Sequence, residues 1–292
     1  MIKNTLFDLH SHTTASDGRL SPEELIERAV AHRIDYLAIT DHDCIKAIPF
    51  AQKKIESESL PIRLISGVEI STKWLSHDIH VVGLNIDIQN ADLEALLASQ
   101  DEKRHTRAVA IDKKLEKIDV FNSLETILKE LKGDSADIAR FMPMITRNHF
   151  AQHLYKINKV KSHQKAFDKY LAKGNVGYVS AQWCAIETAI EVVHKAGGYA
   201  VLAHPYAYPL KGKWARKLIE EFKSMGGDAI EVANSQLTPD RRTHFAKLAQ
   251  EFELDVSIGS DFHRPTPWSD LGKNLWLPAN VSPIWRRWGL MD

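Results

Sequence analysis

Residues 8–18 read DLHSHTTASDG. They end a short β-rich stretch, Thr5 to Leu9, and the alternation of side chains along a strand puts His10 and His12 on one side, a ready bidentate metal site. Asp17 follows in the Ser16-Asp17-Gly18 turn. Ser21 is then a good N-cap, Pro22 suits the first helical position, and Glu24 stands where a capping box wants an acid. Apolar Leu25, Ile26, Ala29 and Val30 continue as one face of that helix. A strand, a loop of ligand-type residues and a capped helix make the opening unit of a β-α-β alternation.

Beyond this unit, β-rich runs occur at Tyr36 to Thr40, Ile62 to Ile70, Ile79 to Leu84, Tyr199 to Ala203, Ala229 to Val232 and Leu254 to Ile258. Most are nearly continuous apolar stretches, which suits strands buried on both faces of a parallel sheet. A helix over Ile186 to Lys195 ends at Gly197-Gly198. Between Leu84 and Tyr199 the alternation breaks into helical patches near Asp92 to Ile118, Ser123 to Leu131, Arg147 to Tyr155 and His163 to Leu171. The expected organisation is an α/β barrel, residues 1–97 and 181–292, carrying a helical insertion, 98–180, for substrate recognition. Trp268, Trp276, Trp285 and Trp288 are expected to pack against the barrel rather than to stack on bases.

The chain has 292 residues, with 38 basic against 38 acidic side chains and 44% hydrophobic residues. That is a globular composition, and its zero formal charge argues against a broad footprint for duplex nucleic acid or an anionic membrane. Phosphate recognition must therefore be local. The two cysteines, Cys44 and Cys184, form no CxxC pair, which fits a cytoplasmic location and rules out zinc built on thiolates. No signal-type apolar region opens the sequence and no run of about 18 apolar residues appears, so neither export nor a membrane is expected. No obligate protein partner is evident.

The 14 histidines cluster at strand ends. Besides His10, His12 and Asp17, the second strand ends in Thr40-Asp41-His42-Asp43, the third delivers Glu69 and the fourth His80. Later strands deliver His204, Asp261 and His263. Barrel active sites assemble at the carboxyl ends of several strands, so nine candidate metal and catalytic residues at six such ends point to one site. Imidazole with carboxylate and no thiolate suits manganese, iron(II) or catalytic zinc. Nine ligands exceed the needs of one ion. Two or three ions a few ångströms apart are what clamps a phosphoryl group, so the reaction read from these residues is phosphoester hydrolysis.

The motifs DLHSHTTASDG, TDHD, GVEIS with downstream DIHVVGL, AHP and GSDFH together resemble the polymerase and histidinol phosphatase (PHP) family of metallophosphoesterases. The resemblance implies a distorted (β/α)7-type barrel with a helical insertion. ITRNHFAQHL (145–154), KYLAKGNVGYVSAQWC (169–184) and EVANSQ (231–236) are similar to the branch containing RNase AM, whose members are 5′-to-3′ exoribonucleases and nucleoside 3′,5′-bisphosphate phosphatases. Carried onto this sequence, the family pattern implies three divalent metals. His10, His12, Glu69 and Asp261 would hold one, Glu69, His80 and His204 a second, and Asp17, His42 and His263 a third. Asp17 tilts the third site towards Mn2+, with Fe2+ or Zn2+ as alternatives.

The implied substrates are nucleoside 3′,5′-bisphosphates and short 5′-phosphorylated single-stranded RNA, cut at the 3′-phosphoester. His204-Pro205-Tyr206-Ala207-Tyr208 departs from the glycine and arginine expected after His-Pro in that branch. Arg147 then becomes the expected phosphate anchor, because guanidinium grips phosphate oxygens bidentately. His149, Lys173 and Tyr178 are further substrate-contact candidates, with Trp183 an alternative surface for the base. Lys103, Arg104 and Arg107 read as a solvated helix face. Asp8, Asp41 and Asp43 read either as groups orienting the imidazoles or as local caps. Two rivals stand beside this reading. One is a phosphatase of a small metabolite such as histidinol phosphate, which needs no 5′-phosphate anchor. The other is a non-catalytic RNA-binding module, against which the complete ligand set speaks.

Overall fold

In a computed structural model, which describes residues 5–133 and 144–289, the first apolar run keeps only Phe7–Asp8 (β1) in the sheet. Helix α1 (Pro22–Ala31) has the full capping box: Ser21 Oγ accepts from the Glu24 N–H, and Glu24 accepts from the Ser21 N–H. There follow β2 (Tyr36–Ile39), α2 (Ile48–Glu58), β3 (Arg63–Trp74) and β4 (His77–Leu84). The chain continues as α3 (Ala91–Leu115), α4 (Ser123–Gly133), α5 (Arg147–Lys156) and α6 (His163–Ala166), with a wider π-type turn over Phe167–Leu171. It returns through the two-residue β5 (Cys184–Ala185), α7 (Ile186–Lys195), β6 (Tyr199–Leu202), α8 (Lys213–Ser224), β7 (Ala229–Ala233), α9 (Pro239–Glu251) and β8 (Asp255–Ile258).

The sheet runs β1-β2-β3-β4-β6-β7-β8, with β5 alongside β3. Its two edges meet: the Leu9 N–H donates to the Ile258 carbonyl at 3.1 Å and the Asp261 N–H to the His10 carbonyl at 2.9 Å. The distorted seven-stranded barrel is thus borne out. One strand departs from the parallel sheet read in the sequence, since β4 is antiparallel to both β3 and β6. Its connection to β3 is a two-residue turn with Leu75 at φ 52°, far too short for the crossover that a parallel partner requires. Reversal brings the start of β4, not its end, to the mouth where β3 and β6 deliver Glu69 and His204. His80 pairs with Ser71, and its carbonyl accepts from the Ala203 N–H at 3.1 Å.

The barrel interior is apolar, with Leu9, Ala38, Val82, Val201 and Ile258 buried together. Trp285 closes its lower end by stacking on Phe7 at a centroid distance of 4.2 Å. Trp288 also packs there, and Trp276 lies under the Arg242 guanidinium. Trp268 does not follow the expected packing; it is 74% exposed. Leu93, Leu96 and Leu97 of α3 join the barrel cluster around Ile190 and Val193. Further along the same helix, Ala108, Ile111 and Leu115 join a separate cluster with Phe150, Leu154 and Leu171. Residue 98, the expected boundary, therefore falls inside one continuous helix. Burial of a side chain such as Phe150 contributes roughly 1.5–3 kcal/mol.

Candidate metal centre

Glu69, fully buried on β3, is the hub of the barrel mouth. Its Oε2 lies 2.8 Å from His42 Nδ1 and 3.4 Å from Nε2 of both His10 and His12. Its Oε1 lies 2.8 Å from His80 Nδ1 and from His204 Nε2. Asp261 Oδ1 is 3.2 Å from His12 Nε2 and 3.6 Å from His10 Nε2. Asp17 Oδ1 sits 3.2 Å from His263 Nε2 and 3.8 Å from His42 Nε2. All nine strand-end residues singled out in the sequence come together.

Their ligand atoms form four overlapping groups, each within 4.8 Å: His12, Asp17, His42 and His263; His10, Glu69 and His204; His10, His12 and Asp261; His42, Glu69 and His80. His12 and His42 thus stand between groups that the family pattern separates. These residues fit divalent ions. Asp17 Oδ1, His42 Nδ1 and Glu69 Oε2 are buried, and although His263 lies 3.2 Å from the first and the other two lie 2.8 Å from each other, none of the three is aligned for a hydrogen bond; such atoms carry a desolvation cost that a cation relieves. Burial pushes the Glu69 carboxyl up, but His80, His42 and His10 outweigh it and hold the group well below the usual carboxylate range. Burial, helped by the charges of His263 and His42, pushes His12 down to about 3. Burial also presses on His10, His42, His204 and His263, but the facing carboxylates outweigh it and hold these four up, so a cation, which is ligated by ionised carboxylate and neutral imidazole, would displace their protons.

The backbone is shaped to make this convergence. Asp43, His204 and Asp261 adopt left-handed conformations with φ of 48°, 30° and 53°, which cost roughly 1–3 kcal/mol each unless the surroundings enforce them. Gly18 lets the Asp17 turn lie on His12, because a Cβ there would stand 2.3 Å from the His12 carbonyl oxygen. Asp8 accepts from the Ser260 and Gly272 N–H groups, and Asp41 from Thr13 and Ser16. Asp43 accepts from the Ser71 N–H and from Arg104. All three are loop and helix ties. Asp41 also reaches His12 through Ser16, whose Oγ lies 3.4 Å from His12 Nδ1; elsewhere His10 Nδ1 lies 2.6 Å from Glu231 Oε1, and His263 Nδ1 lies 2.9 Å from the Asp261 carbonyl. Glu231, on β7, also accepts from the His204 N–H at 2.7 Å. The departing segment after Pro205 serves the same end, with the Tyr208 hydroxyl accepting from the His80 N–H at 2.8 Å.

Beside the cluster opens a cavity of about 170 Å3 whose wall holds Asp17, His42 and His80 together with Asp78, Arg104, Arg107, Arg147, Asn148, Phe167 and Trp183. Arg147, the anchor expected from the sequence, is in this wall, 3.7 Å from Asp78. Arg104 and Arg107 correct the reading of a solvated face. Arg104 is 6% exposed and bound to Asp43 and Ser71, while Arg107 donates to the Val179 carbonyl. Both guanidiniums lie over the Trp183 ring, at 5.0 and 5.4 Å, so Trp183 supports arginines. Burial and the charge of Arg147 push Arg107 down to about 10, the signature of crowded cations.

Lys173 and Tyr178 are not part of this wall. Lys173 is exposed, and the Tyr178 carbonyl accepts from Lys114. His149 Nδ1 accepts from the Thr146 N–H, closing the cap of α5. Burial pushes its pKa down to about 4.

The sequence is 48% identical to a 5′-3′ exoribonuclease Rnm of Salmonella typhimurium, over 97% of this chain and 94% of that protein. It is 38% identical to a 3′,5′-nucleoside bisphosphate phosphatase of Chromobacterium violaceum, over 96% and 95%. A solved structure described as an amidohydrolase from Chromobacterium violaceum, with bound sulfate, superposes with a TM-score of 0.87 at 38% identity, covering 97% and 95% of the two chains. The sequence model of the PHP domain matches residues 8–201. A barrel whose mouth gathers the nine His, Asp and Glu side chains singled out in the motifs, and relatives aligned over nearly its whole length, lead to one assignment: the chain belongs to the PHP domain family.

Proposed function

We propose that this protein hydrolyses the 3′-phosphoester of 5′-phosphorylated nucleotides, acting as a nucleoside 3′,5′-bisphosphate phosphatase and as a 5′-to-3′ exoribonuclease on short single strands. The observation that carries the reading is the shared cavity: three arginines line the same space as Asp17, His42 and His80 of the His and carboxylate cluster. The names of the relatives in Salmonella typhimurium and Chromobacterium violaceum support the two activities.

Three Mn2+ ions, or Fe2+ or Zn2+ in their place, would be held by His10, His12, Glu69 and Asp261, by Glu69, His80 and His204, and by Asp17, His42 and His263. When bound, such ions neutralise phosphoryl oxygens and lower the pKa of a bound water. The protein's own part is positioning. Arg107 and Arg147 hold the 5′-phosphate, so the 3′-phosphorus falls beside Glu69 and Asp17, while Asn148 Nδ2, donating to Asp17 Oδ2 at 2.7 Å, steadies that carboxylate. Phe167 offers the base a face. Residues 98–180 act as the recognition unit. A terminal 3′-phosphate in this frame gives phosphatase action, and a phosphodiester there releases the 5′-terminal nucleotide. Action in the reducing cytoplasm fits the free thiols of Cys44 and Cys184.

The test presents adenosine 3′,5′-bisphosphate, 5′-phosphorylated short RNA and histidinol phosphate side by side to the Mn-loaded protein, with a chelated control. Turnover of the first two, abolished by chelator, is expected. Arg147→Ala should lower kcat/KM on both by about 100-fold, the effect of removing a charge-assisted hydrogen bond to phosphate. Turnover of histidinol phosphate alone, or an Arg147 variant of full activity, would overturn the reading.

A further inference from the structure

The arginine cavity continues outward. Asp17 and Asn148 belong both to its wall and to that of a neighbouring concavity of about 450 Å3, and that concavity shares Arg19 and Gln152 with a groove of about 790 Å3. The three form one track from His42 and His80, past Asp17, to the outer surface. Along it the charge changes character. The acids of the middle part are engaged, Glu24 at the Ser21 cap and Glu130 with Lys156 at 2.7 Å. The outer groove has Arg19, Lys161, His163 and Arg264 in its wall and no carboxylate.

Two of these cations are placed by the centre itself. Arg19 follows the Asp17 turn, Arg264 follows His263, and the Arg19 N–H donates to the His263 carbonyl at 2.7 Å, which fastens the two loops together. Arg264 is the charge that acts on Arg19, and both act on His163. Among the described residues no carboxylate pairs with Arg19, Lys161 or Arg264. Like charges held together without a counter-charge are arranged for an anion. Tyr155, 51% exposed, presents its ring in the same groove. A cationic groove with an exposed aromatic ring is how proteins hold single-stranded nucleic acid without reading its sequence.

We infer that this groove holds the RNA chain on the 3′ side of the scissile bond, with Arg19, Arg264 and Lys161 on its phosphates and Tyr155 against a base. The inference rests on the exoribonuclease reading. With the 5′-phosphate at the far arginines and the 3′-phosphorus at the cluster, the remaining chain leaves past Asp17 and His263, where the track leads. A nucleoside bisphosphate ends before the groove and does not touch it.

The probe is a 5′-phosphorylated oligoadenylate of about eight nucleotides, within the span that one such groove covers, carrying a 3′-fluorescein. Binding is read by anisotropy in chelator, where no turnover occurs, and kcat/KM is read with metal on the oligomer and on adenosine 3′,5′-bisphosphate. The double variant Lys161→Gln/Arg264→Gln should weaken oligomer binding about tenfold and reduce the salt slope by roughly 0.7 for each phosphate that is no longer neutralised. Its kcat/KM should fall similarly on the oligomer and stay within about twofold on the bisphosphate, which has no phosphate in the groove. Tyr155→Ala, at an exposed position, should weaken the oligomer about tenfold with the slope unchanged, the effect of removing one stacking surface. Unchanged oligomer binding and slope, or an equal loss on the bisphosphate, would overturn the inference. If the wild-type protein turns over neither substrate, the phosphoesterase reading fails, while the anisotropy still decides the groove.

Discussion

At the scale of single residues, Glu231, the first residue of the EVANSQ segment, carries a duty that the resemblance of that segment did not assign. Its two oxygens reach His10 Nδ1 and the His204 N–H, fixing the ring whose Nε2 faces Glu69 and the backbone at a left-handed residue. Such partners set the tautomer and orientation of a ligating imidazole. Glu231→Gln is therefore expected to lower metal affinity roughly 10- to 100-fold, measured by competition with a chelating dye, and an unchanged affinity would refute the role. The sequence did hold a signal for it. Glu231 stands in the middle of AIEVA, a strand buried at every position, and an unpaired acid is not expected in such a run. His10, His12, Asp261 and His263 were readable more directly, because period-two spacing at a strand end aims side chains at one mouth. Lys173 and Tyr178 had no such geometric support, and the fold leaves them outside the cavity.

At the scale of elements, α3 braces the barrel mouth through polar contacts. Arg104 donates to Asp43 Oδ2 and Ser71 Oγ, each at 2.7 Å, and Gln100 donates to the Ser71 carbonyl at 2.6 Å. Arg104→Ala would leave the buried Asp43 carboxylate without its counter-charge. Removing one partner of a buried pair costs about 3–5 kcal/mol, so urea denaturation should show a loss of that size, recovered in large part by adding Asp43→Asn. A loss under about 1 kcal/mol would mean that the pair behaves as a surface salt bridge. Composition along α3 gave no hint of this. Arg104 and Arg107 are three residues apart and share a helical face, but which face turns to solvent depends on where the whole helix docks. β4 has a similar history: its apolar run was legible as a strand, whereas its direction followed from the two-residue turn at Leu75.

Across the whole molecule, the centre lies on the seam that closes the barrel. His10 and His12 follow β1, Asp261 and His263 follow β8, and the two edges meet through Leu9 to Ile258 and Asp261 to His10 backbone bonds. Ions bound between them would hold the first and last strands together, so metal binding and folding are linked. At free metal a hundredfold above Kd, one site adds about 2.7 kcal/mol to stability. Thermal unfolding of the Mn-loaded protein should accordingly move to lower temperature when chelator is added. The same unfolding temperature in both states would exclude these residues as a tight metal site.

Local sequence was enough for the alternation of strands and helices, the break in it after Leu84, and the gathering of nine ligand-type side chains at the strand ends and the loop after β1, because each depends on periodicity and spacing that the backbone imposes. Long-range packing was needed for the reversal of β4, the burial of Arg104 and Arg107, the partnership of Glu231 with His10, and the cationic groove at Arg19, Lys161 and Arg264. Each of those joins residues distant in the chain, and whether a charge is solvated, paired or gathered with its like is fixed only by what the fold packs beside it.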